Sequence, residues 1–183
     1  MVWFALGGAL GFVASARASD FAWDPETEDC RNTAGNPGRN MGLGECGALR
    51  NSRLVALDLS DIDLIAADLR GARLSDALLR ATNLMFSCLA DADLHRADLR
   101  HAALNQANLN GADLSAADLS FSDLSGADLR GADLRGTLLL GARLVGADLR
   151  GAQLGMTNLV GADVTGARLP DALEGGALVN HWP

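Results

Sequence analysis

A leucine recurs at every fifth position from Leu49 to Leu169, without an insertion or a deletion. The 25 sites of this series hold 24 leucines, and the exception is Val164. A small residue, usually alanine, stands two positions before every site except Leu59 and Leu64, where Leu57 and Ile62 take its place, and aspartate often stands immediately before the site, as Ala67 and Asp68 illustrate. A period of five matches neither the 3.6 residues of an α-helical turn nor the two-residue alternation of a strand. The pattern therefore predicts a repeat architecture.

If each five-residue unit turns the chain through a quarter circle, four units form a square coil. Successive coils then stack at the inter-strand spacing of ~4.8 Å, which gives about six coils and ~30 Å of stack. The central leucine and the small residue two before it point inward, while the outward positions carry Asp, Arg, Asn, Ser and Gly. This division predicts an all-β, quadrilateral solenoid with a narrow core of leucine and alanine.

The units Ala-Asp-Leu-Ser-Gly, Ala-Asp-Leu-Arg-Gly and Ala-Asn-Leu-Asn-Gly resemble the repeats of pentapeptide-repeat proteins, along about two-thirds of the chain. The resemblance implies a right-handed quadrilateral β-helix with leucine in the central inward position. It implies less about function. Some family members, of the quinolone-resistance type, are acidic dimers that mimic DNA and bind DNA gyrase, while most have no assigned activity.

The repeats occupy residues 49–173, and segments of different composition flank them. Residues 1–18 contain an uncharged apolar run followed by small residues, which predicts a secretory signal peptide. Residues 19–48 contain two cysteines and are predicted to cap the first coil. Residues 174–183 follow the break in the leucine series and are predicted to form a C-terminal cap or tail.

The predicted localisation depends on the apolar run. A signal peptide would direct the protein to the periplasm or the extracellular space and leave no stable membrane span after its removal, whereas a run that is not a signal would leave the protein cytoplasmic. In an oxidising compartment we expect a disulfide between Cys30 and Cys46, worth ~3 kcal/mol through closure of the loop between them. Cys88 has no evident partner in the sequence.

The chain is acidic, with 23 Asp and Glu against 15 basic residues and a formal net charge of −8, which argues against direct nucleic-acid binding. In the predicted coil, residues 20 apart stack, so Asp98 aligns with Asp118, and Asp93 aligns with Asp113 and Asp133. Such columns permit a DNA mimic with carboxylates spaced like phosphates. The simpler interpretation is that these aspartates accept hydrogen bonds from backbone N–H groups of the turns.

No catalytic, cofactor-binding or metal-binding residue is predicted. His95 and His101 fall on adjacent faces of a rigid coil, and the two cysteines of residues 19–48 have no nearby histidine to complete a zinc site. Outward serines such as Ser115 lack a His–Asp partner at a recognisable spacing. The sequence therefore predicts a protein that is not an enzyme.

Apolar residues at outward positions form the candidate interface. Leu138, Leu140 and Val160 are predicted to lie on one face, and Val145 on the next. Contiguous exposed apolar surface commonly marks an interface, although single exposed hydrophobic residues are normal. We expect an unidentified protein partner, or a homodimer through the C-terminal coils, to bury this group.

These observations predict an exported, non-enzymatic β-helix that acts as a rigid protein-binding or structural surface. The alternative is an acidic DNA mimic that binds a DNA topoisomerase such as gyrase. Secretion would exclude cytoplasmic gyrase as the normal partner, so localisation separates the two.

Overall fold

The structure, a computed structural model, describes residues 49–170 and four short strands that precede them. The strands are β1 (Phe21–Asp24), β2 (Asp29–Asn32), β3 (Arg39–Asn40) and β4 (Gly44–Glu45). β1 pairs antiparallel with β2, and β3 pairs antiparallel with β4, so these strands form two hairpins.

Parallel bridges between residues 20 positions apart define the coil in residues 49–170. The bridges run from Arg53↔Arg73 to Asp148↔Arg168. Each five-residue unit contributes one bridged residue, and a tight turn leads to the next unit. Four units therefore complete one coil, as the leucine period predicts.

Leu109, Leu114, Leu119 and Leu124 mark the four sides of one coil. Each face is named after the leucine of this coil that it contains. It comprises the unit of that leucine and the units 20 residues before and after it. The Leu119 face, for example, includes the unit centred on Leu139.

The core of the tube is a column of leucines on each side. From Leu69 to Leu149 the central leucines are exposed to 1% or less. The small residues two positions earlier, such as Ala107 and Ala112, are equally buried and fill the space between them. At the end of the described range Val164 is only partly buried, but it still packs against the core. The inward pair predicted from the sequence is therefore buried from Leu69 to Leu149, while Leu57, near the start of the described coil, is 39% exposed.

Backbone hydrogen bonds join each unit to the coils on both sides. The Leu109 N–H donates to the Asp128 carbonyl of the next coil (2.7 Å), and the Asn108 N–H donates to the Ser87 carbonyl of the preceding coil (2.9 Å). Across the turn, the Ala112 N–H donates to the Leu109 carbonyl (3.1 Å). Because a coil's polar backbone groups are satisfied by its neighbours, stability belongs to the stack as a whole.

The flanking segments are described in part. The signal peptide predicted at 1–18 and the tail predicted at 174–183 lie outside the described residues, and the segment 19–48 is described only through the backbone of β1–β4. Within the part of the chain that the structure describes, no helix is long and apolar enough to cross a membrane.

Candidate interaction surface

An apolar band covers the C-terminal part of the Leu119 face. Leu138 and Leu140 point outward with exposed fractions of 42% and 39%, and half-buried Val160 stands one coil beyond Leu140. Phe121 and Met156, at the two corners that border this face, are exposed to 55% and 72%. These five residues are called the apolar band below. Their positions are neighbours on this face or at its corners in successive coils, so they place several large apolar side chains close together on its solvent side.

Phe121 is held between two neighbouring coils. Its ring stacks on the ring of His101, with centroids 5.4 Å apart and an interplanar angle of 12°. On the other side the ring lies over Gly141, where a Cβ would come within 2.8 Å of the ring carbon Cε1. Phe121 is therefore an anchored aromatic side chain, and such residues dominate many protein interfaces.

Phe121 and Met156 were not among the predicted interface residues, because both occupy turn positions, where side-chain size does not vary with the period. Their backbones have positive φ angles of 60° and 58°. The sequence does contain an indication of Phe121's position. Gly141 stands 20 residues after Phe121, at the same corner of the next coil, and leaves the large side chain room to lie along the stack.

Val145 lies outside the band. It is half-buried on the neighbouring Leu124 face, and Arg143 stands between it and Leu140 along the chain. Arg143 is exposed and lies 3.5 Å from the Asp123 carboxylate. The structure therefore brings together three of the four predicted interface residues and separates Val145 from them by a charged pair.

The aspartate columns align as the sequence predicts, and each carboxylate also bonds the backbone of its own turn. Parallel bridges place Asp93, Asp113 and Asp133 in register on the Leu114 face. The Oδ1 atom of Asp113 accepts the N–H of Ser115 (2.9 Å), and the other two aspartates accept the equivalent N–H groups at 3.1 and 3.0 Å. Turn chemistry therefore explains why aspartate recurs before the central leucine.

Arginines two positions after an aspartate form paired ion contacts with it. Arg130 Nε and one of its terminal nitrogens donate to the two oxygens of Asp128, at 2.8 and 2.7 Å. The same arrangement recurs at Asp68–Arg70, Asp98–Arg100, Asp133–Arg135 and Asp148–Arg150. These guanidinium groups neutralise carboxylates that a DNA mimic would need to expose.

Asp98 has the most strongly stabilised charge of the described aspartates. The Arg100 hydrogen bonds lower the pKa of Asp98 to about 2, against an opposing contribution from burial, and a hydrogen bond from Arg80 adds to the effect. On the Leu114 face, the Arg135 hydrogen bond likewise lowers the pKa of Asp133. These carboxylates are firmly ionised, and none is tuned for proton transfer near neutral pH.

One His–Ser–Asp contact forms between neighbouring coils on the Leu114 face. The Ser115 hydroxyl lies 2.5 Å from Asp113 Oδ1 and 2.9 Å from His95 Nδ1. Spacing along the chain does not reveal this contact, because His95 and Ser115 meet only across one coil, 20 residues apart. A hydroxyl carries one proton, and in this arrangement the proton goes to Asp113, so His95 donates to the serine oxygen. This order is the reverse of a serine nucleophile activated by histidine, in which the hydroxyl donates to the ring.

Metal binding finds no support in the described residues, which contain no group of three His, Cys, Asp or Glu side chains able to hold an ion. Asn108 and Asn110 point into a depression of about 450 Å³ on the Leu109 face, which arginines border. The depression is polar and open, and it differs from the enclosed apolar sites that bind cofactors.

Cys88 is completely buried and disulfide-bonded, although it occupies an outward-pointing position of the Leu109 face. The sequence suggested no partner for it. The side chains of Cys30 and Cys46 lie outside the described residues. Because the chain has three cysteines, the bond at Cys88 requires one of these two, and they cannot then pair with each other. The predicted Cys30–Cys46 disulfide is therefore incompatible with the bond at Cys88.

Comparison with known proteins identifies the repeat. A family model of pentapeptide repeats matches residues 58–96, 92–131 and 127–166, which together span more than half of the chain. No curated protein matches the chain.

Several solved structures of repeat proteins are similar to this chain. Rfr23, a pentapeptide-repeat protein from the cyanobacterium Cyanothece 51142, is 36% identical, with 52% of this chain and 61% of Rfr23 covered and a TM-score of 0.43. HetL from Nostoc sp. strain PCC 7120, involved in the regulation of heterocyst differentiation, is 29% identical, with 69% of this chain and 79% of HetL covered and a TM-score of 0.23. QnrB1, a plasmid-mediated fluoroquinolone resistance protein, is 18% identical, with 67% of this chain and 74% of QnrB1 covered and a TM-score of 0.45. The chain spans about three-fifths of the length of Rfr23.

Proposed function

Since the chain belongs to the pentapeptide-repeat family, we propose that it is an exported, non-enzymatic right-handed β-helix of about six coils that acts through a rigid protein-binding surface. This proposal rests on the exposed large apolar side chains of the apolar band. Backbone bonds to the coils on both sides fix the units of Phe121, Leu138 and Leu140, and bonds to the preceding coil hold the units of Met156 and Val160. Its side chains are therefore presented to a partner with little ordering cost on binding.

We propose a second copy of this chain as the occupant of the band. The charged side chains nearest to it, such as Arg143 with Asp123, are already paired within the chain and leave no excess of one sign to recruit an oppositely charged protein. A twofold contact would place band against band, so Leu138, Leu140 and Phe121 would meet equally apolar side chains. Such a dimer would form through the C-terminal coils.

Export is proposed on two features. Residues 1–16 form an uncharged apolar run, which is typical of a signal peptide. The disulfide at Cys88 supports the same conclusion, because such bonds persist in the periplasm and outside the cell and are rare in the cytosol.

Sedimentation equilibrium of the protein without residues 1–18 tests the binding surface. We expect a dimer for the wild-type chain and a monomer for Leu140→Glu combined with Val160→Glu, because the dimer would bury these carboxylates without partners. Met85→Glu, on the half-buried outward surface of the Leu124 face, is the matched control and should remain dimeric. A wild-type chain that is monomeric at every concentration would exclude the homodimer.

Cell fractionation tests export separately. We expect mature protein that begins near Arg17 or Ser19 outside the cytoplasm. Full-length protein confined to the cytoplasm would contradict export without bearing on the dimer.

A DNA mimic that binds a DNA topoisomerase is the second candidate function, and the aligned carboxylates of Asp93, Asp113 and Asp133 favour it. Against it, one oxygen of each of these carboxylates accepts a turn N–H, and Arg135 pairs with Asp133. Inhibition of gyrase supercoiling by micromolar mature protein would support the mimic. Supercoiling that proceeds unchanged, with a dimer in solution, would support the apolar interface.

A further inference from the structure

The first coils of the Leu109 face are covered at outward positions. The residue before the central leucine is buried at Asp68, Cys88 and Asn108, with exposed fractions of 3%, 0% and 3%. Farther along the same column Asp128 and Asp148 are half-buried. On the other three faces this position is nowhere buried within residues 49–170. Burial of the residue before the central leucine is therefore confined, within residues 49–170, to the first half of the Leu109 face.

The corner beside this column shows the same burial. Ala66 has a positive φ of 55° and occupies a turn position, yet it is only 2% exposed. The turn alanines Ala56 and Ala116, which have the same backbone geometry on other corners, are exposed. Backbone conformation therefore does not explain the burial of Ala66.

The disulfide at Cys88 identifies what reaches this surface. The chain contains three cysteines, and the other two, Cys30 and Cys46, both lie in residues 19–48. A disulfide requires the two Cα atoms to be within about 7 Å of each other. Whichever of the two cysteines forms the bond, the segment 19–48 must come to the side of the stack at Cys88.

We propose that residues 19–48 dock along the Leu109 face over the first coils, fixed by a disulfide between Cys88 and either Cys30 or Cys46. The predicted cap at the end of the stack is thereby replaced by a strap along one side. Bond formation removes two protons and two electrons from two thiols, and an oxidant of the disulfide class, such as oxidised glutathione, is reduced to two thiols in return. The strap leaves the Leu119 face uncovered, so it is independent of the proposed dimer.

Non-reducing peptide mapping tests the pairing directly. The chain without residues 1–18 is equilibrated with oxidised glutathione, alkylated with iodoacetamide and digested with trypsin. Cleavage after arginine places the three cysteines in separate peptides, which end at Arg31, Arg50 and Arg96. A peptide ending at Arg96 that is linked to either of the other two, with one alkylated cysteine remaining, supports the strap. A Cys30–Cys46 link with alkylated Cys88, or three alkylated cysteines, overturns it.

Limited proteolysis tests whether the segment docks. In Cys88→Ser we expect cleavage at Arg31 and Arg39 to become at least about tenfold faster, because the segment is released from the face. Serine is compatible with this column, which already holds Asp68 and Asn108. The matched control is serine at the cysteine that the mapping finds alkylated, and its cleavage rate should equal that of the wild-type chain. Equal cleavage rates for Cys88→Ser and the wild type would contradict docking.

Discussion

The aromatic ring of Phe121 occupies the space that a Cβ on Gly141 would need. The two residues stand at the same corner of successive coils, and the ideal Cβ position on Gly141 lies 2.8 Å from the ring carbon Cε1 and 2.9 Å from Cδ1. Contacts this short are not tolerated between carbon atoms, so Gly141 is what allows Phe121 to lie along the stack. One edge of the apolar band therefore depends on a residue that contributes no side chain.

Gly141→Ala is expected to destabilise the fold by about 2–3 kcal/mol. A positive φ accounts for about 1 kcal/mol of this loss, and displacement of the Phe121 ring accounts for the remainder. Gly131→Ala is the matched control, because its φ is 67° and no atom lies within 4 Å of its Cβ position. Urea unfolding of both variants measures the difference.

The double variant Phe121→Ala with Gly141→Ala isolates the steric contribution. In the Phe121→Ala background, Gly141→Ala should lower the unfolding free energy by only as much as Gly131→Ala does in the wild-type chain, because no ring remains to be displaced. A Gly141→Ala variant as stable as Gly131→Ala in the presence of Phe121 would show that the ring moves away freely.

Leu109→Asp is expected to unfold the whole stack rather than one coil. Leu109 is fully buried, and a carboxylate at that position has no partner in a core of leucine and alanine. Circular dichroism should show loss of the folded spectrum, because each coil depends on its neighbours. A melting temperature close to that of the wild type would contradict the description of the core.

Leu138→Asp is the matched control for Leu109→Asp, with the same change of side chain at an outward position. Asp118 occupies the equivalent position one coil earlier and accepts the Ser120 N–H at 3.0 Å. An aspartate at 138 can accept the Leu140 N–H in the same way. At protein concentrations at which both chains are monomeric, so that loss of the proposed dimer contact does not contribute, we expect its free energy of unfolding to lie within about 0.5 kcal/mol of the wild type.

The sequence predicted the core because the leucine period encodes it directly. Leu109 and Ala107 point inward because they occupy the two positions of the five-residue unit that face the core. The stacking of residues 20 apart follows from a quarter turn per unit. That rule also placed Leu140 beside Val160. It also placed Val145 on the next face, with Arg143 between it and Leu140 along the chain, but it did not show that Arg143 pairs with Asp123 there.

The features that the sequence did not predict depend on contacts outside the period. Cys88 occupies a position that usually holds aspartate, and its bond joins it to a segment without repeats. Ser115 meets His95 only because 20 residues return the chain to the same face. A search for catalytic residues in a solenoid therefore needs to compare positions one coil apart, where side chains from distant parts of the sequence come together.

The ion pairs at Asp98 are expected to make stability pH-dependent under acidic conditions. The pKa of Asp98 is lowered to about 2 in the folded chain, mainly by Arg100, against about 3.9 in an unfolded chain. A lowered pKa stabilises the folded state above the unfolded value, and this contribution is lost as the pH falls from about 4 towards about 2.

Asp98→Asn measures this contribution. Asparagine keeps an oxygen that accepts the Arg100 N–H, as Asn108 does for Asn110 at 3.0 Å, but it removes the charge. At neutral pH we expect a loss of at most about 1 kcal/mol, because the pairs with Arg80 and Arg100 are partly exposed to solvent. The difference in unfolding free energy between variant and wild type should shrink as the pH falls to about 2. A difference that stays constant with pH would show that the charge of Asp98 does not contribute.

Ser115 is expected to be unreactive towards a fluorophosphonate probe, which labels serines that histidine activates. Its hydroxyl proton is directed to Asp113, and His95 approaches the oxygen as a donor, so no base removes the proton from Ser115. Mass spectrometry after incubation with excess probe should give the unmodified mass, as it should for Ser125, whose hydroxyl donates to Asp123 in the same way without a histidine. Labelling of the wild-type chain that disappears in both Ser115→Ala and His95→Gln would overturn the proposal that this β-helix is not an enzyme.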